Sequence, residues 1–234
     1  ATKQDFYLDA ASVFMTNSGV RFRLPRSNAA FDTATTSGWR RGIREVVTER
    51  QLMNIYGTIY ELPRDDSGGM RGIRPLTTHG RQIFDFTTWR GLLVIAGNLT
   101  SATNDAHYVR SDDGLVGLWF GNVDDLWRFG APSGVGGPWK NSAITNGVAS
   151  DPYLMFGYER KELELSHSNA APVTFTVEVD FAANNTWHRY GQFTVAPGQT
   201  LRHIFPDGYS AHWVRVKSDT TTTATAQFTY GPPA

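Results

Sequence analysis

The sequence predicts an all-β protein, on three observations. Strand-forming aromatic residues are abundant, with 14 Phe, 9 Tyr and 7 Trp, and residues that favour turns are equally prominent, with 23 Gly and 11 Pro. Apolar residues also alternate with polar ones over many short segments of the second half. With 234 residues the chain has room for one large β domain or for two smaller ones.

The most regular of these segments runs from residue 173 to residue 181. Val173, Phe175, Val177, Val179 and Phe181 alternate with polar residues, which predicts a strand with one buried face. Turn-forming sequences separate further predicted strands at 163–167, 187–195, 200–205, 212–216 and 223–230. Short strands at intervals of about ten residues are typical of an antiparallel β-sandwich.

A segment rich in turn formers, residues 130–151, marks the predicted domain boundary. Its Gly and Pro residues are poorly suited to a central strand or a helix. We therefore expect a linker that packs along the surface and covers Trp139. The predicted organisation is a propeller-like β region at 1–140, followed by the linker and a β-sandwich domain at 141–234.

The region 1–140 contains shorter and less regular predicted strands, at 12–16, 20–24, 51–62, 83–87, 91–96 and 115–120. Residues 48–56 fit either a helix or a strand. Residues 16–24 are similar to residues 111–119, and each is a polar hairpin tip that returns into an apolar strand, as in the blades of a β-propeller. At roughly 40–50 residues per blade, we expect an incomplete propeller that a longer polypeptide, or a second chain or copy, completes.

Composition and charge exclude several classes of function. The formal net charge is zero and no Lys/Arg block occurs, so we expect no nucleic-acid partner. No apolar stretch approaches the roughly 20 residues that cross a bilayer, and the first residues lack the pattern of a signal peptide, so we expect no membrane partner. The absence of Cys excludes disulfides and Cys-ligated metals.

The basic residues are unevenly distributed. Of the 22 basic residues 18 are Arg, and 14 of these precede residue 140. The planar guanidinium suits carboxylate, sulfate or phosphate groups. The excess of Arg therefore fits either surface ion pairs or a groove for an acidic ligand.

Four stretches carry a resemblance to known proteins: RPLTTHGRQIFDFTTWRGLLV at 74–94, LWFGNVDDLW at 118–127, GGPW at 136–139 and FPDGYSAHWVRV at 205–216. Together they resemble the C-terminal part of large secreted proteins from glycan-degrading microbes, which combine a β-propeller with a β-sandwich. Those proteins are similar to propeller enzymes that remove rhamnose from uronate-containing plant gums, namely lyases and rhamnosidases. The resemblance implies an extracellular or periplasmic location and an oligo- or polysaccharide partner.

Cleavage of a uronate-containing glycan by elimination needs a cation, a base and an acid around the sugar. The candidate catalytic residues are His79 and His107, with His79 preferred as the acid or base. The candidate substrate-binding residues are Arg74, Arg81, Arg90, Trp89 and Trp213. In the alternative interpretation His79 only hydrogen-bonds its backbone neighbours in a turn.

Cleavage by hydrolysis would instead need two carboxylates about 5–10 Å apart. The candidates are Glu45, Asp85, Asp124 and Asp125. Adjacent residues of a strand point to opposite faces, so we expect either Asp124 or Asp125 to cap a turn. No metal or other cofactor is predicted, although a structural calcium ion fits the acidic hairpin tips at 65–69 and 111–114.

Four aromatic residues of the C-terminal region fit two roles. Trp187, Tyr190, Tyr209 and Trp213 form either a sugar-stacking platform or packing of the core and rim, which is the preferred interpretation except for Trp213. The predicted function is a secreted carbohydrate-active protein that acts on a uronate-containing polysaccharide, as a polysaccharide lyase or glycoside hydrolase. The alternative is a non-catalytic carbohydrate-binding or structural surface module.

Overall fold

A computed structural model describes residues 6–28, 34–35, 38–39, 42–47, 50–63, 69–97 and 106–232. The chain forms two compact units. The first unit lies within Ser27–Pro132, and the second combines Gln4–Arg26 with Ser133–Ala234. The described residues form strands, turns and short 3₁₀ segments, which confirms the prediction of an all-β protein.

The strands of the described residues are short and numerous. In chain order they are β1 (Phe6–Leu8), β2 (Val13–Asn17), β3 (Val20–Leu24), β4 (Ala34–Thr35), β5 (Gly38–Trp39), β6 (Gly42–Val46), β7 (Arg50–Ile55), β8 (Thr58–Leu62), β9 (Arg74–Thr78), β10 (Ile83–Trp89), β11 (Leu92–Gly97), β12 (Tyr108–Arg110), β13 (Gly117–Gly121), β14 (Gly134–Ile144), β15 (Tyr153–Leu154), β16 (Arg160–His167), β17 (Val173–Asp180), β18 (His188–Val195), β19 (Thr200–Ile204), β20 (Trp213–Ser218) and β21 (Thr222–Gly231). Short 3₁₀ segments span Gly69–Gly72 and Val123–Phe129.

The second unit contains two facing sheets. Seven strands follow the order β1-β2-β3-β15-β20-β17-β18, and four follow the order β14-β21-β16-β19. The predicted alternation in β17 is confirmed, since Val173, Phe175 and Val177 are each 0% exposed. Tyr153 of the seven-stranded sheet stacks on Phe228 of the four-stranded sheet, with ring centroids 5.2 Å apart. The apolar faces of the two sheets therefore share one core.

The N-terminal strands lie in this second unit, whereas the sequence placed residues 1–140 together in the first region. β3 pairs in parallel with β15. The buried Arg23 donates to Asp151 at 2.8 Å and pairs with Asp9 at 2.9 Å. A pairing between residues so distant in the chain leaves no local pattern in the sequence, and the position of these strands was for that reason not predicted.

The Gly- and Pro-rich segment that was predicted to be a surface linker forms β14 instead. β14 is one of the two edge strands of the four-stranded sheet and pairs with β21. The pairing shifts register between Gly136 and Trp139 and again between Trp139 and Ser142. An edge position and β-bulges are the settings in which a sheet accepts proline, so Pro138 is compatible with this strand.

In its described residues the first unit contains two four-stranded antiparallel sheets, with the orders β6-β7-β8-β9 and β10-β11-β13-β12, and the two-stranded pair β4-β5. Buried side chains from both larger sheets form one apolar cluster that includes Leu52, Ile59, Phe86 and Trp119. The apolar run 51–62 forms β7 and β8, so the strand alternative is confirmed where the chain is described. Within the described residues, no helix has the length and apolar character needed to cross a membrane.

Candidate functional site

His79 follows β9 in the interior of the first unit and is 3% exposed. The backbone N–H of Arg81 donates to its Nδ1 at 3.2 Å. The proton therefore lies on Nε2, which donates to Asn54 Oδ1 at 2.8 Å. Burial lowers the pKa of the imidazole to about 4. A buried, neutral ring whose two nitrogens are both engaged favours the structural interpretation of His79.

Arg81 and His107 contact a common row of aromatic rings. The His107 imidazole stacks on Trp119 at 5.7 Å, and its Nδ1 donates to the Phe120 carbonyl at 2.9 Å. Trp119 packs edge-to-face with Phe129 at 5.1 Å, and the Arg81 guanidinium lies 4.1 Å from the Phe129 ring centroid. The cavity beside this row has a volume of about 10 Å³, which is enough for a water molecule but not for a sugar.

The other arginines predicted to bind substrate lie on the surface of the first unit. Arg74 is exposed at the start of β9. Trp89 ends β10 with 53% of its surface exposed, and the guanidinium of Arg90 lies 4.9 Å from a Trp89 ring centroid. Trp89 and Arg90 thus form a surface pair at the tip of the β10–β11 hairpin.

The candidate carboxylates have individual structural partners. Asp85 and Asp124 pair with arginine guanidinium groups at 2.8 and 3.3 Å. Asp125 accepts a hydrogen bond from the backbone N–H of Asn122 at 2.8 Å. One member of the Asp124–Asp125 pair therefore caps a turn, as predicted.

The acidic hairpin tips show no ligand cluster where they are described. Asp113 accepts a hydrogen bond from the backbone N–H of Leu115 at 3.0 Å, as expected of a turn. The tip at 65–69 lies almost wholly outside the described residues. Within the part of the chain that the structure describes, no group of three or more His, Asp or Glu side chains could hold a metal ion.

The prediction that Trp213 binds substrate is wrong, because its side chain is only 1% exposed and cannot offer a ring face to a sugar. It begins β20, which lies between β15 and β17 in the seven-stranded sheet, and it packs against Phe22 at 5.1 Å. Trp187 is separate from it and packs under the guanidinium of Arg215 at 4.2 Å. Neither tryptophan joins a stacking platform with Tyr190 and Tyr209.

Tyr190 and Tyr209 belong instead to a group of aromatic rings at one edge of the second unit. We call this group the aromatic edge; it consists of Phe181, Tyr190, Phe193, His203, Phe205 and Tyr209. The Tyr190 ring lies at its centre, 4.7 Å from Phe205 and 4.9 Å from Tyr209. Phe181 is 53% exposed and its ring lies 6.3 Å from Tyr209, whereas Phe205 is buried beneath the others. The edge is therefore a continuous ring surface with a buried floor.

The aromatic edge forms where two edge strands face each other. β18 is the last strand of the seven-stranded sheet and β19 the last of the four-stranded sheet. Val177 pairs with Gly191 whereas Glu178 pairs with Arg189, so Tyr190 is an extra, unpaired residue in β18. A β-bulge redirects the side chain that it contains. This redirection brings the Tyr190 hydroxyl within 2.8 Å of His203 Nε2, across the gap between the sheets.

Two buried charged side chains hold the loops of the aromatic edge. The carboxylate of Asp180 accepts hydrogen bonds from the backbone N–H groups of Ala182, Asn184 and Asn185, at 3.2, 3.3 and 2.7 Å. These bonds fix the loop that begins with Phe181. The Lys161 ammonium donates to the Tyr209 carbonyl at 2.8 Å and also to the carbonyl of Tyr158. The exposed Phe181 ring and the half-buried Tyr209 ring are thus attached to loops that the folded protein holds in place.

The electrostatics of the edge favour uncharged rings. Burial raises the pKa of Tyr190, and burial together with the nearby Tyr190 raises the pKa of Tyr209. Burial lowers the pKa of His203. Near pH 7 the two hydroxyls therefore carry their protons and the imidazole is neutral. Such a surface offers hydrogen bonds to a neutral ligand without imposing a net charge.

Sequence reasoning identified only part of this edge. Tyr190 and Tyr209 were named as members of a platform, but the alternation placed Phe181 on the buried face of its strand. The strand ends at Asp180, one residue earlier, and Phe181 turns outwards with the loop. The Ala-Ala-Asn-Asn sequence that follows Phe181 is the signal that the strand was ending.

Comparisons with known proteins identify no relative of this chain. No family model matches the sequence, and no curated protein matches it. One solved structure is similar, an exo-β-1,3-galactanase from Phanerochaete chrysosporium with galactose. The TM-score is 0.24 at 7% sequence identity, over 97% of this chain and 67% of the galactanase. At this TM-score the similarity carries neither a fold nor a function over to this chain.

Proposed function

We propose that this protein binds glycans, without cleaving them, through the aromatic edge of its second unit. The observation that carries the proposal is the exposed Phe181 ring, held beside the half-buried rings of Tyr209 and Tyr190. A pyranose ring presents an apolar face of C–H groups and a rim of hydroxyls. Aromatic rings with polar tips suit such a ligand, since the ring covers the apolar face and the tip bonds the rim.

The way in which the edge is held supports a binding role. Ordering a loop when a ligand binds costs free energy that is lost from the affinity. Asp180 and Lys161 already fix the two loops that carry Phe181 and Tyr209. Exposed rings that are fixed in advance can bind a sugar without that cost.

Binding is better supported than cleavage. The preferred acid or base, His79, is buried with both ring nitrogens engaged. The cavity next to Arg81 is too small for a sugar. Uronate specificity, turnover by elimination or hydrolysis, and a secreted location stay predictions. The exposed pair of Trp89 and Arg90 is the feature that supports a uronate ligand, because it joins a ring face to a cation.

The proposal extends to the architecture of the protein. Two consecutive four-stranded antiparallel sheets that share one apolar cluster support a description of the first unit as propeller blades. Two facing sheets with a common core support a description of the second unit as a β-sandwich.

The proposal is tested by comparing two exposed aromatic residues, one from each unit. Phe181 and Trp89 are both 53% exposed, so each can be changed to Ala at little cost to folding. Retention of the wild-type protein and of the two variants is measured by affinity electrophoresis in neutral β-1,4-glucan, in β-1,4-xylan and in polygalacturonate. We expect retention in at least one neutral glycan, and an affinity for it that Phe181→Ala lowers about tenfold.

Trp89→Ala is the matched control and should be retained in the neutral glycan as well as the wild type. If Trp89→Ala loses retention and Phe181→Ala keeps it, the binding site lies in the first unit and the proposal is wrong. Release of unsaturated or reducing sugars from any of the three glycans would contradict a purely binding role. Absence of retention in every glycan would also contradict the proposal.

A further inference from the structure

A second concave surface lies on the four-stranded sheet of the second unit, on strands β14, β21, β16 and β19. Its groove has a volume of about 660 Å³. That volume is within the range of roughly 300–1,000 Å³ that is typical of ligand clefts. Among the described residues, none of the six residues of the aromatic edge lines the groove, so the two surfaces share no residue.

Strand register places polar side chains of the two central strands side by side in the groove. The cross-strand pairs are Glu162 with Thr229, Glu164 with Gln227 and Ser166 with Thr225. Directly opposed residues of an antiparallel pair have Cβ atoms about 5 Å apart. The floor of the groove is therefore a regular array of carboxylate, amide and hydroxyl groups, at a spacing that neighbouring hydroxyls of a sugar chain can follow.

One wall of the groove follows from the irregular course of β14. The backbone of Gly137 lies so close to β21 that a Cβ at this position would be 2.1 Å from the Ala226 carbonyl oxygen. The side-chain amide of Gln227 donates to the Trp139 carbonyl at 2.9 Å. The backbone N–H of Asn141 donates to Thr225 Oγ1 at 3.0 Å. The bulged edge strand is thus fastened to the floor, and the wall exists before any ligand arrives.

The charges of the groove balance. Arg202 lies 3.6 Å from Glu162 and 3.5 Å from Glu164, and Lys140 lines the opposite side. Arg202 is largely exposed, so these long ion pairs are weak and can exchange for bonds to a ligand. The aromatic residue in the lining, Phe228, is buried and offers no ring face. Recognition here depends on hydrogen bonds rather than on stacking.

We propose that this groove is a second binding site, which takes a neutral, hydroxyl-rich oligosaccharide along strands β16 and β21. The carboxylates of Glu162 and Glu164 accept hydrogen bonds from neighbouring sugar hydroxyls, and the exposed guanidinium of Arg202 donates to others. Because Glu162 and Glu164 are balanced by Arg202 and Lys140, the groove gives no electrostatic advantage to an anionic ligand. The preference for a neutral glycan is the opposite of the uronate preference predicted from the arginines of the first region.

The test uses a double variant, Glu162→Gln with Glu164→Gln, which keeps the shape of the groove and removes two charged acceptors. Binding of a neutral β-1,4-xylan hexasaccharide and of an α-1,4-galacturonate hexasaccharide is measured by titration calorimetry and by backbone amide shifts. For wild-type protein we expect the neutral hexasaccharide to shift amides of β16 and β21. In the double variant the affinity that the amide shifts of β16 and β21 report should be about tenfold weaker.

Two controls separate this site from the aromatic edge and from loss of folding. Asp112→Asn changes an exposed acid of the first unit and should leave binding unchanged. Phe181→Ala removes the exposed ring of the aromatic edge and should leave the amide shifts of β16 and β21 intact, so failure of one site is distinguishable from failure of the other. Unchanged binding in a folded double variant, tighter binding of the galacturonate, or a titration without shifts in β16 and β21 would each overturn the inference.

Discussion

His79 in the first unit and His203 in the second are imidazoles in opposite settings. His79 is sealed in the interior, and its two ring nitrogens bond to Asn54 and to the backbone of Arg81. His203 is half-buried among aromatic rings, and its Nε2 shares a hydrogen bond with the Tyr190 hydroxyl. His79, which the sequence analysis preferred as the catalytic acid or base, is part of the core. His203, which the sequence analysis did not name, lies at the surface.

The difference shows what decides the role of a polar aromatic residue. The His79 side chain, which follows β9, is buried, and a buried polar group must find a partner inside the protein. His203 lies on an edge strand that faces another edge strand, so part of its surroundings is solvent. Burial of the side chain, rather than residue type, separates a structural imidazole from one that a ligand can reach.

The largest expected effect concerns the protonation of His79. Its pKa is about 4 in the folded protein, against 6.5 in the unfolded chain. Between these two pH values the unfolded chain binds a proton that the folded protein does not, so the free energy of unfolding falls as the pH falls. The loss should amount to about 3 kcal/mol by pH 4. The pKa of His79 in the folded protein is measured as the midpoint of its imidazole signals in a pH titration by NMR.

The imidazole signals of the protein unfolded in urea provide the reference in the same titration. A His79 midpoint in the folded protein well below that of the unfolded chain is the expected result. Equal midpoints would show that the His79 ring exchanges freely with solvent, and the contrast between the two units would then disappear.

The second expected effect concerns Asp180, which fixes the loop of Phe181. In Asp180→Asn the side chain loses its charge and one acceptor oxygen, so at least one backbone N–H loses its bond. We expect a loss of about 2 kcal/mol in the free energy of unfolding, measured by urea denaturation, together with weaker glycan retention. Asp207→Asn, at an exposed loop residue, is the control and should change stability by less than about 0.5 kcal/mol. Equal effects of the two substitutions would argue against a role for Asp180 in holding the edge.

The smallest expected effect comes from Tyr190→Phe, which removes one hydroxyl and keeps the ring. The lost hydrogen bond to His203 should lower the free energy of unfolding by about 0.5–1 kcal/mol. Glycan retention should fall only a few-fold, since the stacking surface is kept. A loss of affinity as large as that of Phe181→Ala would show that the hydroxyl, and not the ring surface, dominates binding.

Local patterns in the sequence predicted the strands well. The alternation of Val173, Phe175 and Val177 identified β17 and its buried face, because a period of two is a property of each strand by itself. Turn formers such as Ala-Ala-Asn-Asn marked the ends of strands in the second half. The prediction of one capping residue in the Asp124–Asp125 pair was equally local and is confirmed by the bond from Asn122.

Long-range pairing could not be predicted in this way. β14 was expected to be a linker, since its Gly and Pro residues resemble a loop until β21 is known to pair with it. Trp213 was expected to be exposed, because its burial against Phe22 depends on strands almost two hundred residues apart in the chain. The aromatic edge depends on a bulge at Tyr190 and on two facing edge strands, and neither leaves a signature in a single segment.

The most direct test of the central claim is to observe which rings a glycan touches. Wild-type protein with isotope-labelled aromatic side chains is titrated with the neutral β-1,4-xylan hexasaccharide and with a β-1,4-glucan hexasaccharide, and ring signals are followed by NMR. If the aromatic edge binds glycans, the signals of Phe181, Tyr190 and Tyr209 shift in a saturable manner while those of Trp89 and His107 stay in place. Shifts of Trp89 and His107, with the edge unchanged, would contradict the account.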